Sequence, residues 1–165
     1  MLMNMKELLK VADEKGFAVP AFNIGSDQLL KAVMQQVKEM KSPVILEMSP
    51  DEFNFVENSL IQSMIYEASK TDVPVVIHLD HGDKYETVVR AIQAGFTSVM
   101  FDGSHYAFEE NLEKSKEMIE LAHSKGISIE CEVGGIGGEE DGVTSMGELA
   151  DPAECATIAN LGVDF

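Results

Sequence analysis

The sequence has no long apolar segment and few cysteines. No run of about 18 consecutive apolar residues occurs in its 165 residues, so we expect no membrane-spanning helix. The first residues, MLMNMKELLK, lack the apolar core of a signal peptide. The two cysteines, Cys131 and Cys155, form no metal-binding or redox motif, and a reduced cytoplasmic protein is the simplest interpretation.

Basic residues are also scarce. Twelve Lys and Arg residues stand against 29 Asp and Glu residues, which gives a formal net charge of −17. This charge argues against nucleic acid and anionic membranes as partners. An anionic metabolite is compatible with it where a metal ion or backbone N–H groups offset the field locally. Solubility alone is the simpler explanation of the charge.

What the sequence does have is a repeating pattern of strands and helices. The length and the 45% hydrophobic content predict one globular domain over residues 1–165. Short apolar runs rich in Val, Ile and Phe are typical of buried parallel strands. They lie at residues 17–23, 42–49, 73–80, 97–103 and 127–133.

Helical patterns follow these runs. Ser26 is the predicted N-cap of one helix, and Asp83 with Glu86 is the predicted capping box of another. Glycines close three of the helices and set a repeat of roughly thirty residues, the size of a βα unit. They are Gly95, Gly126 and Gly162.

Two architectures explain this repeat. An open, doubly wound sheet can close its core with five or six strands, and the length of the chain favours it. A (β/α)₈ barrel needs eight strands and typically about 250 residues. The chain ends on GVDF, where a sixth strand should begin, and this favours part of a barrel. Strand order distinguishes the two, because a barrel keeps the order 1-2-3-4-5.

Candidate functional residues gather where the predicted strands end, which is where both architectures place their active sites. The third strand ends in His78, Asp80 and His81. His78 and Asp80 share one face of the strand, whereas His81 can turn inward as the strand gives way to a loop. A metal ligand beside an acid suits proton exchange with a metal-polarised substrate. For His78 we favour a hydrogen-bonded core histidine with a supporting role.

Two further carboxylates end the neighbouring strands. Asp102 and Glu132, together with an imidazole, suit Zn²⁺ or a similar divalent ion, although an acid at a strand end can also cap the next helix. The segment GGIGGEEDG after the fifth strand lacks the G-x-G-x-x-G spacing of a dinucleotide loop. Its acids suit a glycine-hinged loop that carries a general base, and the alternative is a solvated acidic turn.

Several segments resemble the class II, zinc-dependent ketose-bisphosphate aldolases, which include fructose- and tagatose-bisphosphate aldolases. They are VPAFNIG, VPVVIHLDHG, AGFTSVMFDGSHYAFEEN, ECEVGGIGGEEDG and DPAECA, and the resemblance runs from about residue 5 to the end. It implies a TIM (β/α)₈ barrel, of which this chain would cover about the first five βα units and the start of the sixth strand.

The resemblance also implies an activity. The reaction is the reversible cleavage of a ketose 1,6-bisphosphate to dihydroxyacetone phosphate and glyceraldehyde 3-phosphate through a zinc-stabilised enediolate, a step of glycolytic carbohydrate metabolism. The implied enzyme is a cytoplasmic lyase that forms a dimer or a tetramer. The sequence does not separate fructose from tagatose substrates, since these differ at one stereocentre.

By the family pattern, individual residues receive roles. His81 matches a ligand of the catalytic zinc, and Asp80 matches the proton donor to the aldol oxygen. Asp102 and Glu132 match ligands of a second metal position. The remaining matches are Glu140 with Glu139, for proton transfer at the substrate carbon, and Asn23 and Ser49, for positions close to the substrate.

The sequence also departs from the family. Two further zinc histidines and the phosphate-binding loops normally follow the sixth to eighth strands, and they have no counterpart here. The segment SPDEFNFVEN after the second strand is less typical than the rest. An inactive or assembly-dependent half-barrel therefore stands as the alternative function, and an unrelated open-sheet protein that binds a divalent metal stands as a third.

Overall fold

In the computed structural model, residues 1–135, 138–140, 143–145, 147 and 149–165 are described, without the side chains of residues 57, 138–140 and 143–145. This part contains six helices and seven strands. Their bounds are α1 Met5–Lys15, β1 Ala21–Asn23, α2 Asp27–Met40, β2 Val44–Met48, α3 Pro50–Ser69, β3 Val75–Gly82, α4 Tyr85–Ala94, β4 Ser98–Phe101, α5 Phe108–Ser124, β5 Ser128–Cys131, β6 Gly138–Glu140, β7 Val143–Ser145 and α6 Pro152–Ala159.

Strands β1 to β5 form one parallel sheet in the order β1-β2-β3-β4-β5. A doubly wound sheet would reverse its order at a switch point, so this order selects the partial barrel. Strands β6 and β7 form a separate antiparallel pair. None of the described helices combines the length and the apolar character that a membrane span requires.

The last residues of the chain lie along β5, as expected for the start of a sixth strand. The Asp164 amide donates to the Ile129 carbonyl at 3.0 Å, and the Cys131 amide donates to the Phe165 carbonyl at 3.2 Å. The buried Asp164 carboxylate accepts hydrogen bonds from the Ile129 amide at 2.9 Å and from His123 Nε2 at 3.0 Å. Lys6 Nζ of α1 lies 2.7 Å from its other oxygen. We call this cluster the Asp164 clasp.

One face of the sheet is apolar along its whole length. Leu46, Ile77, Val99 and Ile129 are completely buried on this face beneath helices α2 to α5. The interpretation as buried parallel strands is confirmed for β2 to β5. It is wrong for β1, whose three residues are exposed because β1 lies at the edge of the sheet and pairs with β2 alone. Burial of each of the four apolar side chains contributes roughly 1.5–3 kcal/mol to the stability of the fold.

The opposite, inner face is divided. At its amino end, Ile45 and Val76 pack against Met5 and Leu8 of α1, a helix that the sequence analysis did not assign. The rest of the inner face carries a polar row that runs from the carboxyl ends of β1 and β2 to the amino ends of β4 and β5. Because paired residues of parallel strands point the same way, the register aligns one row of side chains across all five strands. This row is Asn23, Glu47, His78, Ser98 and Ser128.

The helix caps were predicted with mixed success. Ser26 caps α2 as expected, with its Oγ accepting from the Leu29 amide at 3.3 Å. The predicted Asp83–Glu86 capping box is wrong, since α4 begins at Tyr85 and no side chain caps it. Strand β3 continues to Gly82, so Asp83 falls one residue ahead of the N-cap position. The described capping box belongs instead to Ser49 and Glu52 at the start of α3.

Candidate metal centre

A bulge in strand β3 sets the position of His81. Leu79 pairs with Val99, whereas Gly82 pairs with Phe101, so β3 carries one extra residue over this interval. Within this bulge His81 adopts a left-handed backbone conformation, with φ 49°. This conformation costs a non-glycine residue about 1–2 kcal/mol. A Cβ at Gly82 would lie only 2.6 Å from the carbonyl oxygen of Met100, so glycine is required beside the bulge.

The bulge brings His81 to two carboxylates from the next strands. His81 Nδ1 lies 2.9 Å from Asp102 Oδ2 and 3.9 Å from Glu132 Oε2. One ligand atom from each of the three residues falls within 4.8 Å of the others, and all three side chains are half-buried. The structure thus brings together the three residues that the sequence singled out as metal ligands. We call this group, whose donor atoms could hold a metal ion, the metal centre.

The electrostatics of this group favour positive charge. The hydrogen bond with Asp102, together with the charges of Asp80, Asp102 and Glu132, raises the pKa of His81 to about 9. Burial by itself would raise the pKa of Asp102. Hydrogen bonds from His81 and Ser104 outweigh burial and lower it to about 2. Because Asp102 is ionised, His81 Nδ1 donates a hydrogen bond to it. The other ring nitrogen, Nε2, lies on the side of Asp80.

These residues fit a bound divalent ion. One imidazole and two carboxylates form a donor set that suits Zn²⁺ and similar cations. In the absence of an ion, a proton on His81 supplies positive charge among the acids, and metal binding would displace this proton. The fit rests on the spacing of the donors and on the net negative charge of their side chains.

Asp80 lies on the other side of the imidazole. Its Oδ1 is 3.8 Å from His81 Nε2. Asp80 therefore stands next to the nitrogen that does not bond to Asp102, and it faces the inner side of the sheet. An acid in this place can exchange a proton with a molecule bound beside His81.

His78 is a core histidine. Only 3% of its side chain is exposed, and its Nδ1 lies 2.9 Å from Ser98 Oγ. Burial, together with the charge of His81, lowers its pKa to about 4, so the ring is neutral at physiological pH. Its Nε2 is 3.6 Å from Glu130 Oε2. His78 is not among the three residues of the metal centre, and its burial and its contact with Ser98 confirm the hydrogen-bonded core histidine that we favoured.

Glu47 was missed by the sequence analysis. It occupies the polar row between Asn23 and His78. Burial and the nearby carboxylates of Asp80 and Glu130 raise its pKa to about 7. A signal existed in the sequence, because Glu47 alternates with Leu46 and Met48 in an apolar run and must face the other side of the strand.

The two predicted substrate-side residues lie at the ends of β1 and β2. Asn23 is exposed, and its Nδ2 donates to Glu52 Oε2 at 3.3 Å. Ser49 is buried and caps α3, with its Oγ accepting from the Glu52 amide at 3.4 Å. The backbone of Glu139 and Glu140 lies in β6, but the side chains of both lie outside the described part of the chain.

Comparison with known proteins decides the family. The model of the family "Fructose-bisphosphate aldolase class-II" matches residues 3–165. The chain belongs to this family. It is 45% identical to a fructose-bisphosphate aldolase of Mycoplasma pneumoniae over 99% of the chain and 58% of that relative. It is 40% identical to a fructose-bisphosphate aldolase of Streptococcus pneumoniae, over 99% of the chain and 57% of that relative.

Solved structures of aldolases share the fold. The YdjI aldolase of Escherichia coli K12 superposes with a TM-score of 0.84 at 29% identity, over 99% of this chain and 59% of that one. The parallel sheet of the present chain is therefore the partial TIM barrel that the resemblance implied. The chain spans less than two thirds of the length of these relatives.

Proposed function

We propose that this chain contributes the metal centre of a class II aldolase, which reversibly cleaves a ketose 1,6-bisphosphate to dihydroxyacetone phosphate and glyceraldehyde 3-phosphate. The observation that carries the proposal is the cluster of His81, Asp102 and Glu132 at the carboxyl ends of β3, β4 and β5. Active sites of TIM barrels lie at this end of the strands. Family membership supports the same reaction.

Each residue of the centre has a proposed part in the chemistry. His81 would hold the catalytic Zn²⁺, which would supply Lewis acidity at the ketose carbonyl, and Asp102 and Glu132 would hold a cation at a second position nearby. Asp80, beside His81 Nε2, would donate a proton to the aldol oxygen during condensation and remove it during cleavage. No lysine is needed to activate the carbonyl in this scheme.

Four further residues complete the proposed site. Asn23 and Ser49 would bind the substrate, since Asn23 ends β1 and Ser49 directly follows β2, the strand that pairs with both β1 and β3. Glu140, assisted by Glu139, would transfer a proton at the substrate carbon. The support for these two acids is the family pattern of ECEVGGIGGEEDG.

We also infer the setting of the protein. Residues 1–165 would form one domain, the amino-terminal part of the barrel, in a cytoplasmic homo-oligomer, a dimer or a tetramer. The partner is a sugar bisphosphate, and the net charge of −17 argues against nucleic acid and membrane surfaces. The two candidate substrates differ at one stereocentre. Measuring the rate of cleavage of fructose 1,6-bisphosphate and of tagatose 1,6-bisphosphate shows which of them the enzyme prefers.

The test measures zinc stoichiometry and aldol cleavage on the same preparation. We expect Asp80→Ala to reduce turnover by orders of magnitude while zinc stays bound. Asp83→Ala removes a carboxylate just after the same strand and should leave turnover unchanged. Loss of zinc in Asp80→Ala would mean that the roles of Asp80 and His81 are reversed. Stoichiometric zinc without turnover in the unaltered chain would favour the assembly-dependent half-barrel instead.

A further inference from the structure

Glu52 connects the ends of two strands that carry the proposed substrate-binding residues. Its Oε2 accepts from Asn23 Nδ2 at 3.3 Å and from the Ser49 amide at 3.1 Å. Its own amide donates to Ser49 Oγ at 3.4 Å. One carboxylate oxygen therefore joins the end of β1, the end of β2 and the first turn of α3.

The ends of β1 and β2 need such a connection because the backbone hydrogen bonds between these two strands stop there. The amide of Ile24 donates to the carbonyl of Glu47 at 2.9 Å, and beyond this bond the chain turns away towards α2. Strand β1 has only three residues, and Asn23 at its end is exposed. An exposed amide side chain samples several rotamers unless a partner holds it, and ordering it costs entropy when a ligand binds.

The carboxylate of Glu52 does more than a helix cap requires. A capping box uses the side chain of the third helical residue only to accept from the N-cap amide. Here the same oxygen also accepts from Asn23, which lies on another strand. The second oxygen, Oε1, lies 3.5 Å from the place where a Cβ would stand on Gly25. The carboxylate thus spans the connections that follow β1 and β2.

We propose that Glu52 is a positioning residue, which holds the Asn23 amide and Ser49 in one fixed arrangement so that both meet the substrate without reordering. This inference rests on the proposed function, because Asn23 and Ser49 are its substrate-binding residues. Glu52 acts through Asn23 and does not contact the substrate. Its removal should weaken substrate binding and leave the metal centre intact.

A double-mutant cycle tests this coupling. The probe is fructose 1,6-bisphosphate, titrated with Zn²⁺ present into the unaltered chain, Glu52→Ala, Asn23→Ala and the double variant. We expect each single change to raise the dissociation constant about tenfold. The double variant should raise it no further, because both single changes disrupt the same Glu52–Asn23 interaction. Zinc affinity should stay within about twofold throughout. Independent effects, with a loss of about a hundredfold in the double variant, would overturn the proposal.

Two variants separate positioning from helix capping. Glu52→Gln keeps an acceptor oxygen and the capping box, so binding should recover to within about threefold of the unaltered chain. Asp51→Ala removes an exposed acid from the same first turn and should leave binding unchanged. Equal weakening by Asp51→Ala and Glu52→Ala would show that only the charge at the helix start matters, which would overturn the proposal.

A second readout needs neither substrate nor metal. The side-chain amide of Asn23, followed by NMR, should exchange with solvent at least tenfold faster in Glu52→Ala than in the unaltered chain or in Asp51→Ala. Unchanged exchange would overturn the inference whatever the binding results. Failure of the unaltered chain to bind the probe would instead overturn the proposed function, and the substrate role of Glu52 with it.

Discussion

The two faces of the parallel sheet use alternate residues of the same strands, yet they differ in polarity at the carboxyl ends of β2 and β3. Leu46 and Ile77 face the helices and are completely buried among apolar side chains. Their neighbours Glu47 and His78 face the inner side, next to Asp80 and His81. The first set stabilises the fold by burial, whereas the second set holds charges whose pKa values are shifted by burial and by one another. The outer face thus serves stability alone, whereas the inner face combines the apolar packing of Ile45 and Val76 with the proposed chemistry.

The largest effect should come from the inner face. His81→Ala removes the one imidazole of the metal centre, and we expect the affinity for Zn²⁺ to fall at least a hundredfold, as measured by calorimetry. His105→Ala removes an exposed histidine that follows β4 and should leave the affinity unchanged. Similar zinc affinity in the two variants would show that the metal centre lies elsewhere.

The outer face should respond in stability alone. Leu46→Ala empties a completely buried position, and we expect the free energy of unfolding to fall by about 3 kcal/mol in denaturant titrations. Zinc affinity of the folded variant should not change, because Leu46 points away from the metal centre. Phe55→Ala, at a site that is 86% exposed on α3, should change stability by less than about 0.5 kcal/mol. A large loss of zinc affinity in Leu46→Ala would contradict the separation of the two faces.

Substitution of Glu47 tests whether an ionised carboxylate on the inner face lowers the stability of the fold. The folded-state pKa of Glu47, about 7, lies above the ordinary glutamate value of 4.5, so the native state holds its proton more tightly than the unfolded state. Stability therefore falls as the pH rises from 4.5 to 7 and is level above that range. A shift of this size corresponds to roughly 3 kcal/mol, and solvent screening around a half-exposed carboxyl reduces it to about 1 kcal/mol.

Glu47→Gln should consequently stabilise the metal-free chain by about 1 kcal/mol at pH 8 and have little effect at pH 4.5. Thermal unfolding at both pH values measures this difference. A stabilisation of Glu47→Gln that is equal at both pH values would mean that its ionisation is not the cause.

The smallest effect concerns the support of His78. Ser98→Ala removes the hydroxyl that contacts His78 Nδ1, and we expect a loss of about 1 kcal/mol in stability with zinc affinity changed less than threefold. Ser128→Ala is the matched control, since Ser128 Oγ is buried and no hydrogen-bond partner for it occurs among the described residues. A greater loss of stability for Ser128→Ala would contradict this account of the polar row.

Sequence reasoning succeeded where one physical rule controlled the outcome. Buried parallel strands are apolar on both faces over most of their length, so the runs around Leu46, Ile77 and Val99 could be recognised without a structure. The ends of parallel strands meet at one edge of the sheet, so His81, Asp102 and Glu132 could be expected together. Length alone favoured the open sheet, whereas the resemblance to class II aldolases implied the barrel, and the strand order confirms the barrel.

Sequence reasoning failed where the outcome depended on the backbone between two elements. The capping box at Asp83 was wrong because a bulge extended β3 to Gly82, and a bulge leaves no local pattern. The left-handed backbone of His81 follows from the same bulge. Glu47 was overlooked because an apolar run was interpreted as a whole instead of residue by residue.

The Asp164 clasp has a consequence for how the chain folds. It joins Lys6 of α1, His123 of α5 and the Ile129 amide of β5 to one carboxylate near the end of the sequence. Contacts between distant parts of a chain form only after the entropy of closing the intervening loops has been lost, so they tend to form late. An interaction that is absent from the folding transition state slows unfolding and hardly changes the rate of folding. The clasp thus belongs to the contacts that determine how long the folded chain persists.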